Sequence, residues 1–309
     1  MVAAKAVDAD IVAALRHKLV QPGTSLSHKY RVLFSLRNIP GHEAGDAIIE
    51  GLKDASALFR HEVAYCLGQR QDAAAITTLK AVLADTTEHS MVRHEAGEAL
   101  GAIGTGACLK ELQQYLQDPC LEVAQTCQLA LQRIQYHNHH DAPAEQDESR
   151  YLSVDPTPAA PSTTPANELH SALVDEEARI FDRYRAMFAL RNKGGREAVK
   201  ALGEAFSSKS ALLKHEVAYV LGQMQDAAAV ITLRHVLKDD TEHAMVRHEA
   251  AEALGSIASP DCLQLLTDYC KDPDSIVADS CVVALDMLEF ERSGAFQYAD
   301  SGITACAGA

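Results

Sequence analysis

The chain repeats itself, and that limits its fold more than any other feature. Residues 28–127 align without a gap to 182–281, at an offset of 154, with about 55 identities in 100 positions. The best-matched stretches are HEVAYCLGQRQDAAA at 61–75 against HEVAYVLGQMQDAAA at 215–229, and TEHSMVRHEAGEALGAI at 87–103 against TEHAMVRHEAAEALGSI at 241–257. Chance cannot produce this; it is an internal duplication.

Each half holds a shorter period. A closing leucine recurs at Leu36, Leu67, Leu100 and Leu131, and again at Leu190, Leu221, Leu254 and Leu285, in steps of 31, 33 and 31 residues in both halves. Between successive leucines lie two stretches in which apolar residues recur at three and four, the helical period. Gly and the Asp118-Pro119 and Asp272-Pro273 pairs punctuate the turns. No segment alternates as a strand. A helical pair of about 30 residues cannot bury its apolar face alone, so it must stack on its neighbours. The expected fold is all-α: two halves of four helical hairpins each, facing each other in a pseudo-two-fold arrangement.

The expected divisions are an N-terminal half over 1–137, a linker over 138–178, a C-terminal half over 179–290 and a frayed tail over 291–309. Five of the ten prolines lie in the linker, amid Ser, Thr and acidic residues, which predicts little fixed structure there. The tract His137, Asn138, His139, His140 reads as a polar helix end, with metal binding as its alternative.

Composition bounds the function. With 23% charged and 47% hydrophobic residues the chain of 309 is foldable, and its apolar runs are too short and interrupted to cross a membrane. The first residues mix Lys, Asp and Arg into the apolar pattern, so a secretory signal is not expected and the cytoplasm is. The eight Cys are single, with no CxxC pair, and read as reduced and mostly buried. A net charge of −15 argues against a nucleic-acid partner and suits a cationic one.

Six residues before each closing leucine the hairpins carry Tyr30-Arg31, His61-Glu62, His94-Glu95 and Gln125-Thr126, then Tyr184-Arg185, His215-Glu216, His248-Glu249 and Asp279-Ser280. His-Glu thus fills the two central repeats of each half and neither outer one. The plain alternative is a solvated edge copied with the duplication. Against it, the pairs lie among Ala, Val and Leu, where an ionisable pair is costly unless something compensates. His61, Glu62, His94, Glu95, His215, Glu216, His248 and Glu249 form a ligand set for a hard or borderline metal. Helices of adjacent repeats pack about 8–10 Å apart, so positions 61 and 94 face one another across one gap and 215 and 248 across another, one metal per half. Spacing alone does not choose among the eight candidates. Nor do residue types name the metal, since zinc or manganese takes the same ligands. A metal site shared between the halves would be the main thing holding them closed.

Flanking the second pair of each half are Asp85, Glu88, His89 and Met91, matched by Asp239, Glu242, His243 and Met245. They read as a capped helix start, with a substrate-contacting rim as the alternative. Tyr65 and Tyr219, one turn beyond the first His of each half, read as interhelical packing, with a substrate tunnel as the alternative.

Four His-Glu pairs in the middle repeats of a duplicated HEAT-type array, set in HEVAY-LGQ-QD and EH-MVRHEA-EALG, resemble the deoxyhypusine hydroxylase family. The resemblance covers about residues 28–290, and no pair departs from it. It implies a di-iron monooxygenase that uses dioxygen and an electron donor to hydroxylate the deoxyhypusine side chain of a translation factor. It assigns His61, His94 and Glu95 to one iron and His215, His248 and Glu249 to the other. Glu62 and Glu216 are left as catalytic carboxylates facing the cationic substrate. A non-catalytic HEAT scaffold and a zinc-dependent hydrolase are the competing readings.

Overall fold

The computed structural model describes residues 9–139 and 149–293. Expectations placed on 1–8, 140–148 (with His140) and 294–309 lie outside the described residues, as does the side chain of His139. Among the described residues there are 16 α-helices and no strand. In the first half they are α1 (Ala9–Val20), α2 (Leu26–Asn38), α3 (His42–Ile49), α4 (Ala57–Arg70), α5 (Ile76–Ala84), α6 (Ser90–Ile103), α7 (Leu109–Gln114) and α8 (Leu121–His139). The second half repeats them as α9 (Ala166–Val174), α10 (Ile180–Lys193), α11 (Gly195–Glu204), α12 (Ala211–Met224), α13 (Val230–Lys238), α14 (Ala244–Ile257), α15 (Leu263–Tyr269) and α16 (Ser275–Ser293).

The even-numbered helices form the inside. α2, α4, α6 and α8 pack in sequence, α10, α12, α14 and α16 do likewise, α8 meets α10 and α12, and α16 returns to α2 and α4. The inner helices therefore make a closed circuit, with the two halves facing each other as expected. Glycine sets the spacing where the stack continues. A Cβ at Gly68 would lie 2.8 Å from Ala99 Cα, at Gly101 2.9 Å from Ala130 Cα, at Gly222 3.0 Å from Ala253 Cα and at Gly255 2.7 Å from Ala284 Cα. Each glycine follows a closing leucine (Leu67, Leu100, Leu221, Leu254) that is wholly buried. The outer repeats carry Arg37, Gln132, Arg191 and Asp286 at that place instead.

Buried arginines tie consecutive hairpins. Arg93 Nε donates to Leu83 O at 3.0 Å while its other nitrogens grip Asp118, and Arg247 does the same with Leu237 O and Asp272. This explains the arginine in MVRHEA and the aspartates of both Asp-Pro turns.

One expectation is corrected. The stretch 138–178 is not structureless over 149–178. Helix α9 buries Leu169 and Leu173 as the outer helix of the first hairpin of the second half. Ahead of it, Gln69 holds both backbone groups of Val154, Gln223 donates to Ser153 Oγ, and Asp155 pairs with the buried guanidinium of Arg191 at 2.6 Å. Arg133 donates to Asp155 O at 3.0 Å. The segment thus lies across the C-terminal ends of α4, α8, α10 and α12. Its prolines predict poor helix, and they misled because an extended segment can be fixed by side chains of its neighbours. Contacts outside the candidate metal residues also join the halves. Ser56 Oγ donates to Asp279 Oδ2 at 2.8 Å, Ser210 Oγ donates to Gln125 Oε1 at 2.8 Å, and Arg31 pairs with Asp286 at 2.7 Å.

Candidate metal centre

Each His-Glu pair stands at a fixed distance from a helix start. Ser56 and Ser210 cap α4 and α12 by accepting from Phe59 N and Leu213 N, and His89 and His243 cap α6 and α14 through Nδ1 from Met91 N and Met245 N. His61, His215, His94 and His248 each lie five residues beyond their cap, so all four enter the circuit at one level. The acidic turns serve the helix starts: Asp85 and Asp239 accept from Thr87 and Thr241, Glu88 pairs with Arg60, and Glu242 with Lys214.

The four imidazoles converge. Ring centroids are 5.5 Å apart for His61–His94, 5.2 Å for His215–His248, 5.6 Å for both His61–His248 and His94–His215, and 6.0 Å for His61–His215. The two 5.6 Å pairs are copies of one relationship, so a pseudo-two-fold axis passes through the cluster. All eight residues of the four pairs are buried. Both nitrogens of His61, His94 and His215, and Nε2 of His248, have no hydrogen-bond partner among the described residues. His61 Nε2 and His215 Nε2 stand 3.3 and 3.5 Å from Glu95 and Glu249 without bonding geometry. An unsatisfied buried polar group costs about 1–3 kcal/mol, so this many at one point fit a metal as their common partner. Donor atoms of His215, His248 and Glu249 lie within 4.8 Å of one another, as do those of His61, His94 and His215. The second group takes one member from the opposite half, which the separate-halves reading does not anticipate.

Burial sets the protonation. It drives His94 and His248 well below the usual histidine range, helped by neighbouring imidazoles, and lowers His61. Neutral imidazole is the form that binds metals. Burial pushes the carboxyl of Glu62 up to about 7 and that of Glu95 up to about 8, and with neighbouring carboxylates holds Glu216 well above the usual carboxylate range. Glu62 and Glu216 belong to none of the groups with metal-binding spacing. Glu62 feels Glu249 and Glu95, and Glu216 feels Glu98, Asp155 and Glu95, so each is one member of a carboxylate cluster.

Residues 12–96 and 166–244 match the family of HEAT repeats, and 92–118 and 246–272 match the PBS lyase HEAT-like repeat. Deoxyhypusine hydroxylases from Danio rerio and Homo sapiens are each 52% identical, over 94% of this chain and 95% of theirs. The chain belongs to the deoxyhypusine hydroxylase family. The structure of human deoxyhypusine hydroxylase in complex with glycerol superposes with a TM-score of 0.87 at 51% identity, covering 91% of this chain and 96% of that one. In this member of the deoxyhypusine hydroxylase family two carboxylates beyond the His-Glu pairs also stand beside the histidines. Glu98 has a donor atom within 4.8 Å of those of His94 and Glu95, and Glu252 lies 3.7 Å from His248 Nδ1. Their signal in the sequence is a Glu four residues after each second His, the spacing of one helical turn.

Proposed function

We propose that this protein hydroxylates the deoxyhypusine side chain of a eukaryotic translation factor to form hypusine, using dioxygen, an electron donor and two iron ions. The observation that carries this reading is the set of four buried imidazoles with unpartnered nitrogens beside Glu95 and Glu249. His61, His94 and Glu95 would hold one iron, and His215, His248 and Glu249 the other. Two His and one carboxylate per iron leave positions open, and the bound iron supplies the activation of dioxygen.

Glu62 and Glu216 hold the substrate. Each is buried among other carboxylates, so each takes a proton readily when no cation is near. A cationic polyamine chain replaces that proton with an ammonium group and a charge-assisted hydrogen bond. The segment 149–160 lies over one end of the inner helices, so the side chain enters from the other, where Arg60–Glu88 and Lys214–Glu242 stand. Burial of all four histidines keeps bulk water from the reacting carbon. The cytoplasm is the proposed location, in keeping with described thiols that are all free. No described helix is long and apolar enough to cross a membrane.

Metal analysis after anaerobic reconstitution with iron(II) tests the reading. Two irons per chain are expected. No stoichiometric metal would indicate a scaffold, and stoichiometric zinc with hydrolytic activity a hydrolase.

A further inference from the structure

The two halves are copies, yet their second histidines have different surroundings. In the second half Ser280 on α16 is wholly buried against α14. Its Oγ lies 3.3 Å from His248 Nδ1 and donates to Glu252 Oε1 at 3.0 Å. The same places in the first half hold Thr126, His94 and Glu98. There Thr126 Oγ1 is buried without a partner among the described residues, and neither nitrogen of His94 has one among them.

The cause is a methyl group that has changed helices. A Cβ at Gly97 on α6 would stand 3.3 Å from Thr126 Cγ2, so the threonine methyl from α8 occupies the space that glycine leaves. In the second half Ala251 supplies its own methyl at that position, and Ser280 has none to place. Threonine is stiff at χ1, so seating its methyl over Gly97 also decides where its hydroxyl points. Serine is free of that constraint, and its hydroxyl turns to His248 and Glu252. Without such a link, Glu98 stands beside His94 and Glu95 and lines a cavity of about 10 Å3, close to one water in size, with Thr126 and Arg133.

We propose that Ser280 and Glu252 are positioning residues for His248, and that the first half lacks their equivalent, so the two metal places are inequivalent. This rests on the reading of the histidines as ligands. His248 Nδ1–H donates to Ser280 Oγ, whose hydroxyl donates to Glu252. The tautomer and ring plane are thereby fixed, and the lone pair of Nε2 faces the cluster. His94 has no such partner and must settle its tautomer and orientation as the ion arrives. The second half therefore takes its ion first and more tightly. Loss of an outer partner of a metal-bound histidine weakens binding about 10- to 100-fold, which sets the scale of the difference.

Anaerobic titration of the metal-free full-length chain with cobalt(II), followed by visible absorption, reads this without turnover. Wild type is expected to show two steps at least about ten-fold apart, with His248→Ala removing the tighter one. Ser280→Ala is expected to weaken the tighter step and leave the other. The exchange Gly97→Ala with Thr126→Ser conserves volume and returns the methyl to α6, so it is expected to tighten the weaker step. That exchange decides the matter if Ser280→Ala disturbs the fold. Failure of wild type to bind cobalt would overturn the metal reading itself. Two ions bound in one step, or an exchange variant that titrates like wild type, would overturn this inference and leave the metal reading standing.

Discussion

The phenol oxygens of Tyr65 and Tyr219 lie 2.8 Å apart. Each residue is the other's copy in the duplication, so their meeting places the pseudo-two-fold axis one turn beyond the histidines. Gln223 Nε2 donates to Tyr219 at 2.9 Å and extends the contact toward Ser153. With Ser56–Asp279 and Ser210–Gln125, the halves are joined at their centre and at both seams. Removing iron should therefore leave the radius of gyration unchanged by small-angle scattering. An expanded metal-free protein would restore metal as the main hold.

Replacing His94 or His248 with Ala should lose iron from that half and abolish hydroxylation. Replacing Glu62 or Glu216 with Ala should keep most of the iron and raise KM for the protein substrate, because the three proposed ligands of each ion remain. Iron analysis beside steady-state kinetics separates the two classes. Equal iron loss in Glu62→Ala and His94→Ala would make Glu62 a ligand.

The raised carboxyls give a pH signature. Glu62 titrates at about 7 and Glu95 at about 8 in the folded protein, against about 4.3 for an unfolded glutamate. Between those values the folded metal-free chain holds protons that the unfolded chain has released, so its stability falls as pH rises through about 7 and 8. Thermal unfolding should show a lower Tm at about pH 8.5 than at about pH 6.5 without metal. Bound cations stabilise the ionised carboxylates, so added iron(II) or cobalt(II) should shrink the difference. A Tm that rises with pH in the metal-free protein would contradict this assignment.

Asp155 should matter to stability although it lies in a proline-rich connection. It holds the fully buried Arg191 guanidinium, whose other partners are Gln223, Asn192 and Ser153. Asp155→Ala should cost about 3 kcal/mol by leaving a buried charge short of its counter-ion. Denaturant unfolding checks it, and a loss within the surface range of about 0.5 kcal/mol would show Arg191 to be satisfied otherwise.

The fold was legible because the duplication and the 31–33-residue steps report on packing that recurs in every repeat. The His-Glu pairs were legible for the same reason: each lies in step with a helix cap and a closing leucine. What stayed hidden depends on contacts between segments with no shared period. The anchoring of Val154 by Gln69 joins residues 85 apart, and nothing in the composition of the connection signals it. The grouping of His215 with His61 and His94 depends on closure of the circuit, which local spacing does not encode. Glu98 and Glu252 were visible one turn beyond the pairs, but a glutamate there equally suits a solvated helix face.

Mass spectrometry with isotopically heavy dioxygen tests the central claim most directly. Iron-reconstituted protein, an electron donor and a deoxyhypusine-bearing translation factor are incubated under labelled gas, and the modified peptide is weighed. The account predicts a gain of one heavy oxygen atom on the deoxyhypusine side chain, lost in His94→Ala and His248→Ala. An unmodified peptide, or oxygen drawn from unlabelled water, would contradict it.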